Sequence, residues 1–232
     1  MDNLDSTKQK SITLAQKINV LRAGVLGSND GILTVVGVLF SVGAATSNRF
    51  TILIAGLADL VACALSMSAG EYASVSVQRD TEKSAVEEEA TNLKNNYSEQ
   101  INIVKQYYQN KGVSLQTANL IAKQLMEKED RVATLVNIKH GINMGQYLNP
   151  WMAAWSSMFS AALGGLFPLV AMTYAPSNSR WLATILAVII SVGLTGMISA
   201  KLGKSNIKYA VLRNIVVGII TMAIHYYVGQ LI

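Results

Sequence analysis

Cysteine and charged residues are scarce in this chain of 232 residues. Its one cysteine, Cys63, excludes a framework of intrachain disulfides. Charged residues make up only 14% of the chain, whereas about 25% is usual in a soluble domain, and 51% of the residues are hydrophobic. This balance indicates a membrane protein that crosses the bilayer several times.

The motifs of catalysis are missing as well. The sequence has no phosphate-binding loop, zinc motif, catalytic triad or haem motif, and it lacks the Glu-x-x-His pairs that di-iron helix bundles use. We therefore expect no enzyme, such as a ferroxidase, and no permanently bound cofactor. The net charge of +5 has no residue pattern typical of nucleic-acid binding, so we expect no nucleic-acid partner.

Five stretches are long enough to cross a bilayer of roughly 30 Å as helices. They are residues 23–46, 50–73, 151–174, 181–200 and 214–232. With the N-terminus inside, 17 of the 19 Lys and Arg residues fall in the cytoplasm, which is the usual asymmetry. The sequence thus predicts a multi-pass protein of the cell membrane with a cytoplasmic N-terminus and an outside C-terminus.

The remaining segments complete an all-α architecture. Residues 1–22 are too polar for a signal peptide and predict a short cytoplasmic helix at the inner membrane surface. Residues 23–78 hold crossings one and two, and residues 149–232 hold crossings three to five. Between them, residues 79–148 carry apolar residues at helical spacing and predict an inserted cytoplasmic helical subdomain.

Two carboxylates lie inside the predicted crossings. Asp30 is in the first and Asp59 in the second, and acids inside a membrane are costly unless they face protein, water or an ion. At about 100° per residue, Asp59, Cys63, Met67 and Glu71 share one helical stripe. Oxygen and sulfur ligands on one line favour a transition metal over Mg²⁺ or Ca²⁺.

Each of these residues also has a structural explanation that does not involve a metal. Asp59 could instead pair with another polar residue such as His225, and methionine and cysteine are often core residues. Glu71 is predicted near the inner interface, where it would serve as an entry ligand or simply be solvated. His225 fits an aromatic belt at the outer interface better than a proton relay.

Three blocks of sequence resemble the vacuolar iron transporter family, including its bacterial members. They are GSNDGI at residues 27–32; AGLAD at 55–59 running on to SMSAGEYASVS at 66–76 and QRDTE at 78–82; and NPW at 149–151 running on to GGLFP at 164–168. The resemblance covers nearly the whole chain from about Val20. It implies a homodimer that exports Fe²⁺, often also Mn²⁺, from the cytoplasm in exchange for protons.

The resemblance also implies which residues bind the metal. The membrane ligands of the family correspond here to Asp30, Asp59 and Met67, with Asp59 in place of the glutamate of eukaryotic relatives. In the cytoplasmic helices, Glu89 corresponds to a family ligand and Glu99 to an approximate one.

Several acids are expected to attract the ion at the cytoplasmic entrance of its path. They are Glu71, Glu82, Glu87, Glu88 and Glu89. The methionine pair of relatives is replaced by Leu135 and Val136, and Lys139 adds a positive charge. We therefore expect the cytoplasmic helices to add little metal affinity. The alternative function is a non-transporting membrane sensor or scaffold of the same fold that acts through these helices.

Overall fold

Helices form almost the whole chain. The computed structural model describes residues 13–231, and in that part it has eight helices and no strand. The helices are α1 Leu14–Ala45, α2 Arg49–Asn95, α3 Tyr97–Asn110, α4 Leu115–Met126, α5 Arg131–His140, α6 Pro150–Tyr174, α7 Arg180–Leu202 and α8 Ile207–Gln230. Five of them, α1, α2, α6, α7 and α8, are long and apolar enough to cross a membrane. The predicted all-α class with five crossings is confirmed.

The chain divides into two compact units. Within the described residues, one unit, here called the bundle, comprises residues 13–74 and 149–231, and the other, called the inserted unit, is Val75–Leu148. Helix α2 contributes to both, because its 47 residues are more than twice the roughly 20 that a bilayer requires.

Helix α1 is the centre of the bundle. One of its faces packs Val36 and Phe40 against Val192 of α7 and Met222 of α8. Another face packs Leu39 with apolar residues of α2 and α6. Every other crossing helix therefore touches α1, so that a polar side chain on α1 can meet partners from several directions.

Backbone atoms of α1 and α6 come very close together. A Cβ atom on Gly27 would lie 2.5 Å from the backbone oxygen of Ser157, and one on Gly31 would collide with the backbone of Ala161. From the other side, Gly164 meets the backbone of Ser28 in the same way. Small residues permit such packing in lipid, where dispersion contacts hold helices together. The contact fixes the register of α1, and with it the position of Asp30.

The first helix differs from the expectation of a separate surface helix over residues 1–22. Thr13 caps α1 by accepting a hydrogen bond from the Gln16 backbone N–H at 3.2 Å, and the helix then runs without interruption to Ala45. Nothing in this segment breaks a helix, since it contains no proline and its glycines pack against neighbouring helices, mostly α6. Residues 1–12 of the predicted surface helix lie outside the described residues.

The inserted unit has its own apolar core. Leu93 of α2 packs with Val104 of α3, Met126 of α4 and Leu135 of α5. The turn between α3 and α4 has Gly112 at φ +87° and is followed by Ser114, which caps α4. The helical pattern of residues 79–148 is thus present as the sequence predicted.

Candidate functional site

The two acids of the predicted crossings lie within one polar cluster of the bundle. Asp30 comes from α1, and the Cys63 thiol of α2 donates to its Oδ2 at 3.9 Å, a long contact for a weak donor. Asp59 lies one helical turn before Cys63, within electrostatic reach of Asp30. The structure therefore brings Asp30, Asp59 and Cys63 together from two helices.

The cluster contains polar atoms without partners. Thr34 of α1 faces Asp59 and Cys63. Nevertheless, the buried atoms Thr34 Oγ1 and Asp59 Oδ2 have no hydrogen-bond partner within residues 13–231. A buried oxygen that lacks a partner costs about 1–3 kcal/mol. A cation or a water molecule at this position would satisfy both oxygens.

Met67 follows one turn after Cys63 on the same side of α2. It is half-buried and packs against the small cluster of Cys63, Ala64 and Ala161, which Met158 of α6 also contacts. Its thioether thus lies on the stripe with Asp59 and Cys63, as the sequence predicted. The same contacts also make it part of the apolar core.

Glu71, at the far end of this stripe, is already paired. It is only 6% exposed, and Arg22 of α1 donates from Nη2 to its Oε2 at 3.2 Å. The pair ties the two helices together at the end of the bundle where α1 begins. A cation that approached Glu71 would have to compete with the guanidinium.

His225 of α8 lies on the other side of the acids along α1. The Ser41 hydroxyl donates its one hydrogen to the His225 carbonyl oxygen at 3.0 Å, so its 3.1 Å contact with Nδ1 requires Nδ1–H as the donor. The ring is accommodated because Gly37 has no side chain: a Cβ there would lie 2.8 Å from Nε2. Nε2 faces α1 at Gly37, and the ring lies within electrostatic reach of Asp59.

In the inserted unit, Glu89 lies in an ion pair. It is 3% exposed, and Lys139 Nζ contacts its Oε2 at 2.6 Å while His140 Nε2 contacts its Oε1 at 3.0 Å. Burial opposes the charge, but the hydrogen bonds and positive charges of Lys139 and His140 outweigh it and hold the pKa of Glu89 below its usual value. Both carboxylate oxygens are thus occupied by protein donors.

The other predicted acids are more open to solvent. Glu87, Glu88 and Glu99 are exposed, and Glu82 is half-buried and accepts a 3.0 Å hydrogen bond from Gln78 Nε2. Within the described residues, no three His, Cys, Asp or Glu side chains form a group that could hold a metal ion. In the described part of one chain, Asp30, Asp59 and Cys63 are therefore too few or too far apart to form such a group by themselves.

Sequence reasoning missed several polar partners of these residues. Thr34 and Ser41 lie four and eleven residues after Asp30, so helical spacing places all three on one face of α1. That periodicity is a sequence signal from which the polar neighbours of Asp30 could be predicted. No sequence pattern indicates the contact of Arg22 with Glu71, because the two residues are 49 positions apart and only the fold brings them together.

Comparison with known proteins agrees with this architecture. The model of the VIT family matches residues 21–230. A vacuolar iron transporter of Acanthamoeba castellanii is 34% identical over 229 residues, covering 98% of this chain and 84% of that protein. Vacuolar iron transporter homolog 3 of Arabidopsis thaliana is 28% identical, covering 99% of this chain and 92% of its own length. The chain therefore belongs to the VIT family.

Proposed function

We propose that this protein exports Fe²⁺, Mn²⁺ or both from the cytoplasm in exchange for protons. The observation behind the proposal is the buried Oδ2 of Asp59, which has no hydrogen-bond partner within residues 13–231 and lies beside Asp30 in helices that can cross a membrane. An ionisable side chain in such a place is by default on an ion path. Relatives named as iron transporters support the choice of cargo.

The ligand set favours borderline divalent metals. Asp30 and Asp59 offer hard carboxylate oxygens, while Cys63 and Met67 offer softer sulfur on the same side of α2. Mixed oxygen and sulfur ligands suit Fe²⁺ and also accept Mn²⁺, whereas Mg²⁺ and Ca²⁺ prefer oxygen alone. The proposed substrate is therefore a first-row transition metal.

Two neighbouring carboxylates provide a route to proton coupling. Carboxylate ligands bind metal when they are deprotonated, so a proton and the ion compete for the same oxygens. Protonation of Asp59 or Asp30 from the outside releases the metal, and loss of that proton to the cytoplasm resets the site. No phosphate-binding loop is required, since the proton gradient supplies the energy.

A homodimer accounts for the incomplete coordination in one chain. The membrane part of α2 leaves much of its surface exposed, including Ala58, Ala62, Ser66 and Ala69. At about 100° per residue these small residues form one stripe, and Asp59 lies at its edge. Packing of two such stripes would bring the acids of both protomers to one path and add ligands from the second chain.

Ion flux in liposomes tests the proposal. Wild-type protein should move Fe²⁺ or Mn²⁺ and carry protons the opposite way, and Asp59→Asn should abolish both fluxes while expression is retained. Asp59→Glu, which keeps the carboxylate on α2, is the control and should retain flux. Wild-type flux in Asp59→Asn would remove Asp59 from the path.

The alternative function, a membrane sensor or scaffold without transport, is favoured by one observation in the inserted unit. Lys139 and His140 occupy the Glu89 oxygens, and they leave the inserted unit with a fixed internal ion pair instead of an open carboxylate. Absence of metal flux from folded wild-type protein, with a partner protein retained by residues of the inserted unit, would support this alternative.

A further inference from the structure

A cavity of about 470 Å³ lies at the end of the bundle where α1 begins, α7 ends and α8 begins. Of the described residues that line it, none is Asp30, Asp59 or Cys63. Its lining includes Arg22, Val25 and Leu26 of α1, Leu202 of α7, and Arg213 of α8. Three helix ends meet here, so the cavity lies at the boundary between the apolar middle of the bundle and its charged end.

The charge of the lining is of one sign. Among residues 13–231, its charged lining residues are Arg22 and Arg213, and no acid of that part lines it. Arg213 is exposed and forms no salt bridge with any residue in the described part of the chain. Two guanidinium groups repel a divalent cation, so the cavity is not a vestibule for metal.

Arg22 can bind a second anion in addition to Glu71. Its contacts with Glu71 at 3.2 Å and with Asn19 at 3.4 Å both use Nη2. A guanidinium has five N–H donors in a planar fork, so Nε and Nη1 are available for another acceptor. Phosphate oxygens match this geometry better than a single carboxylate oxygen does.

Exposed aliphatic side chains lie beside the two arginines. Ile18, Leu21 and Leu26 of α1 and Leu202 of α7 all line the cavity and are 45–57% exposed. A free phosphate ion would leave this apolar surface uncovered, whereas an amphiphile would cover it. Each methylene group removed from water adds to the binding free energy of such an amphiphile.

We propose that this cavity binds an anionic phospholipid, with the phosphate held by Arg22 and Arg213 and an acyl chain against the aliphatic wall. The topology predicted from the Lys and Arg distribution puts this end of the bundle on the cytoplasmic side, where anionic head groups are concentrated and basic pockets at helix ends bind them. The lipid and Glu71 then share the guanidinium of Arg22, and this links the lipid to the end of the α2 stripe. The assignment does not depend on which ion the protein carries.

Lipid titration of the full-length protein in detergent, followed by native mass spectrometry, tests the site. The probes are phosphatidylglycerol, phosphatidylcholine with the same acyl chains, and glycerol phosphate, which has the head-group chemistry without the chains. Wild-type protein should bind phosphatidylglycerol at least tenfold more tightly than either of the other two. Arg213→Gln should weaken that binding about fivefold, the usual share of one basic residue at a charged membrane surface.

Lys208→Gln is the matched control, since it removes the same charge from α8 at an exposed position that does not line the cavity. It should leave phosphatidylglycerol binding within twofold of wild type. Equal weakening by Arg213→Gln and Lys208→Gln would mean a diffuse basic surface and would overturn the site. Equal binding of the two lipids, or binding of glycerol phosphate as tight as that of phosphatidylglycerol, would overturn it as well.

Val25→Phe provides a second variant that keeps both arginines and fills the cavity. It should reduce phosphatidylglycerol binding while the thermal unfolding midpoint stays close to that of wild type. Unchanged lipid binding in a folded Val25→Phe protein would contradict the location. Binding that appears only after removal of residues 2–12 would assign the cavity to the N-terminal segment of the chain and overturn the proposal.

Discussion

Among single residues, Met67 is the one whose two possible roles, metal ligand and core side chain, a single substitution separates most clearly. Met67→Leu keeps the volume nearly constant and removes the sulfur. We expect transport of softer ions such as Fe²⁺ to fall several-fold relative to Mn²⁺, since the thioether contributes most to softer metals. Competition flux measurements in liposomes give the ion ranking, and the thermal unfolding midpoint reports stability.

Met158→Leu is the matched control for this experiment. Met158 packs against the same cluster of Cys63, Ala64 and Ala161, but from α6. The control should leave the ion ranking unchanged. If Met67→Leu also leaves it unchanged, Met67 is a core residue and no ligand.

The ion pair of Glu89 makes a prediction about the inserted unit. Lys139→Met leaves a carboxylate that is 3% exposed with His140 as its remaining partner. Breaking a buried pair costs several kcal/mol, and with His140 still present we expect about 2 kcal/mol. Hydrogen exchange in α3 to α5 should accelerate roughly 30-fold, whereas exposed Lys123→Met should have little effect. Equal exchange in the two variants would show that the pair is energetically neutral.

The pH dependence of the same unit follows from the lowered pKa of Glu89. Because the folded-state pKa is below the ordinary value of 4.5, the pair stabilises the unit fully above that pH, and the contribution is lost as pH falls through the folded-state pKa. Hydrogen exchange compared at pH values above and below 4.5, after correction for the intrinsic rate, should show the loss in wild type. Glu89→Gln should show no corresponding step.

At the scale of helices, the close contact of α1 and α6 predicts a strong effect of one methyl group. Gly31→Ala places a Cβ against the backbone of Ala161, and the backbone cannot move as a flexible side chain can. We expect a loss of at least 2 kcal/mol, at the upper part of the usual range for overpacking.

Thermal or denaturant unfolding in detergent measures this loss. Gly193→Ala in α7 is the control, because the nearest atom to its Cβ would be Val211 Cγ1 at 3.9 Å, an ordinary contact. The control should be neutral or slightly stabilising, since alanine favours the helix. Equal stability of Gly31→Ala and wild type would mean that α1 and α6 can separate without cost.

The sequence predicts helices well where neighbouring residues determine their position. The crossings follow from long apolar stretches with few charges, and the start of α4 follows from the Ser114 cap. The start of α1 was harder, because its amphipathic first turns are equally typical of a surface helix. Partners distant in the chain, such as Glu71 with Arg22 or Thr34 with Asp59, depend on the packing of α1 against α2, for which a single sequence has no signal.

For the whole molecule, the exposed stripe of small residues on α2 predicts the interface of the proposed homodimer. Ala62→Trp puts a large side chain into that stripe and should convert the dimer to a monomer, as measured by light scattering in detergent. Val61→Trp is the control, since Val61 is 53% exposed and lies about 100° away around the helix. A dimer that survives Ala62→Trp, or one that both variants disrupt, would contradict this choice of face.

The contact between α1 and α6 also has a consequence for biosynthesis. Residues 46–149 lie between these two helices, and at about 5–20 residues per second the ribosome needs roughly 5–20 s to make them. Until then, the glycine face of α1 and the adjacent Asp30 must remain in the translocation machinery or in lipid without their final neighbour. Slow elongation through the inserted unit should therefore increase degradation of the nascent chain, even though the finished protein is unchanged.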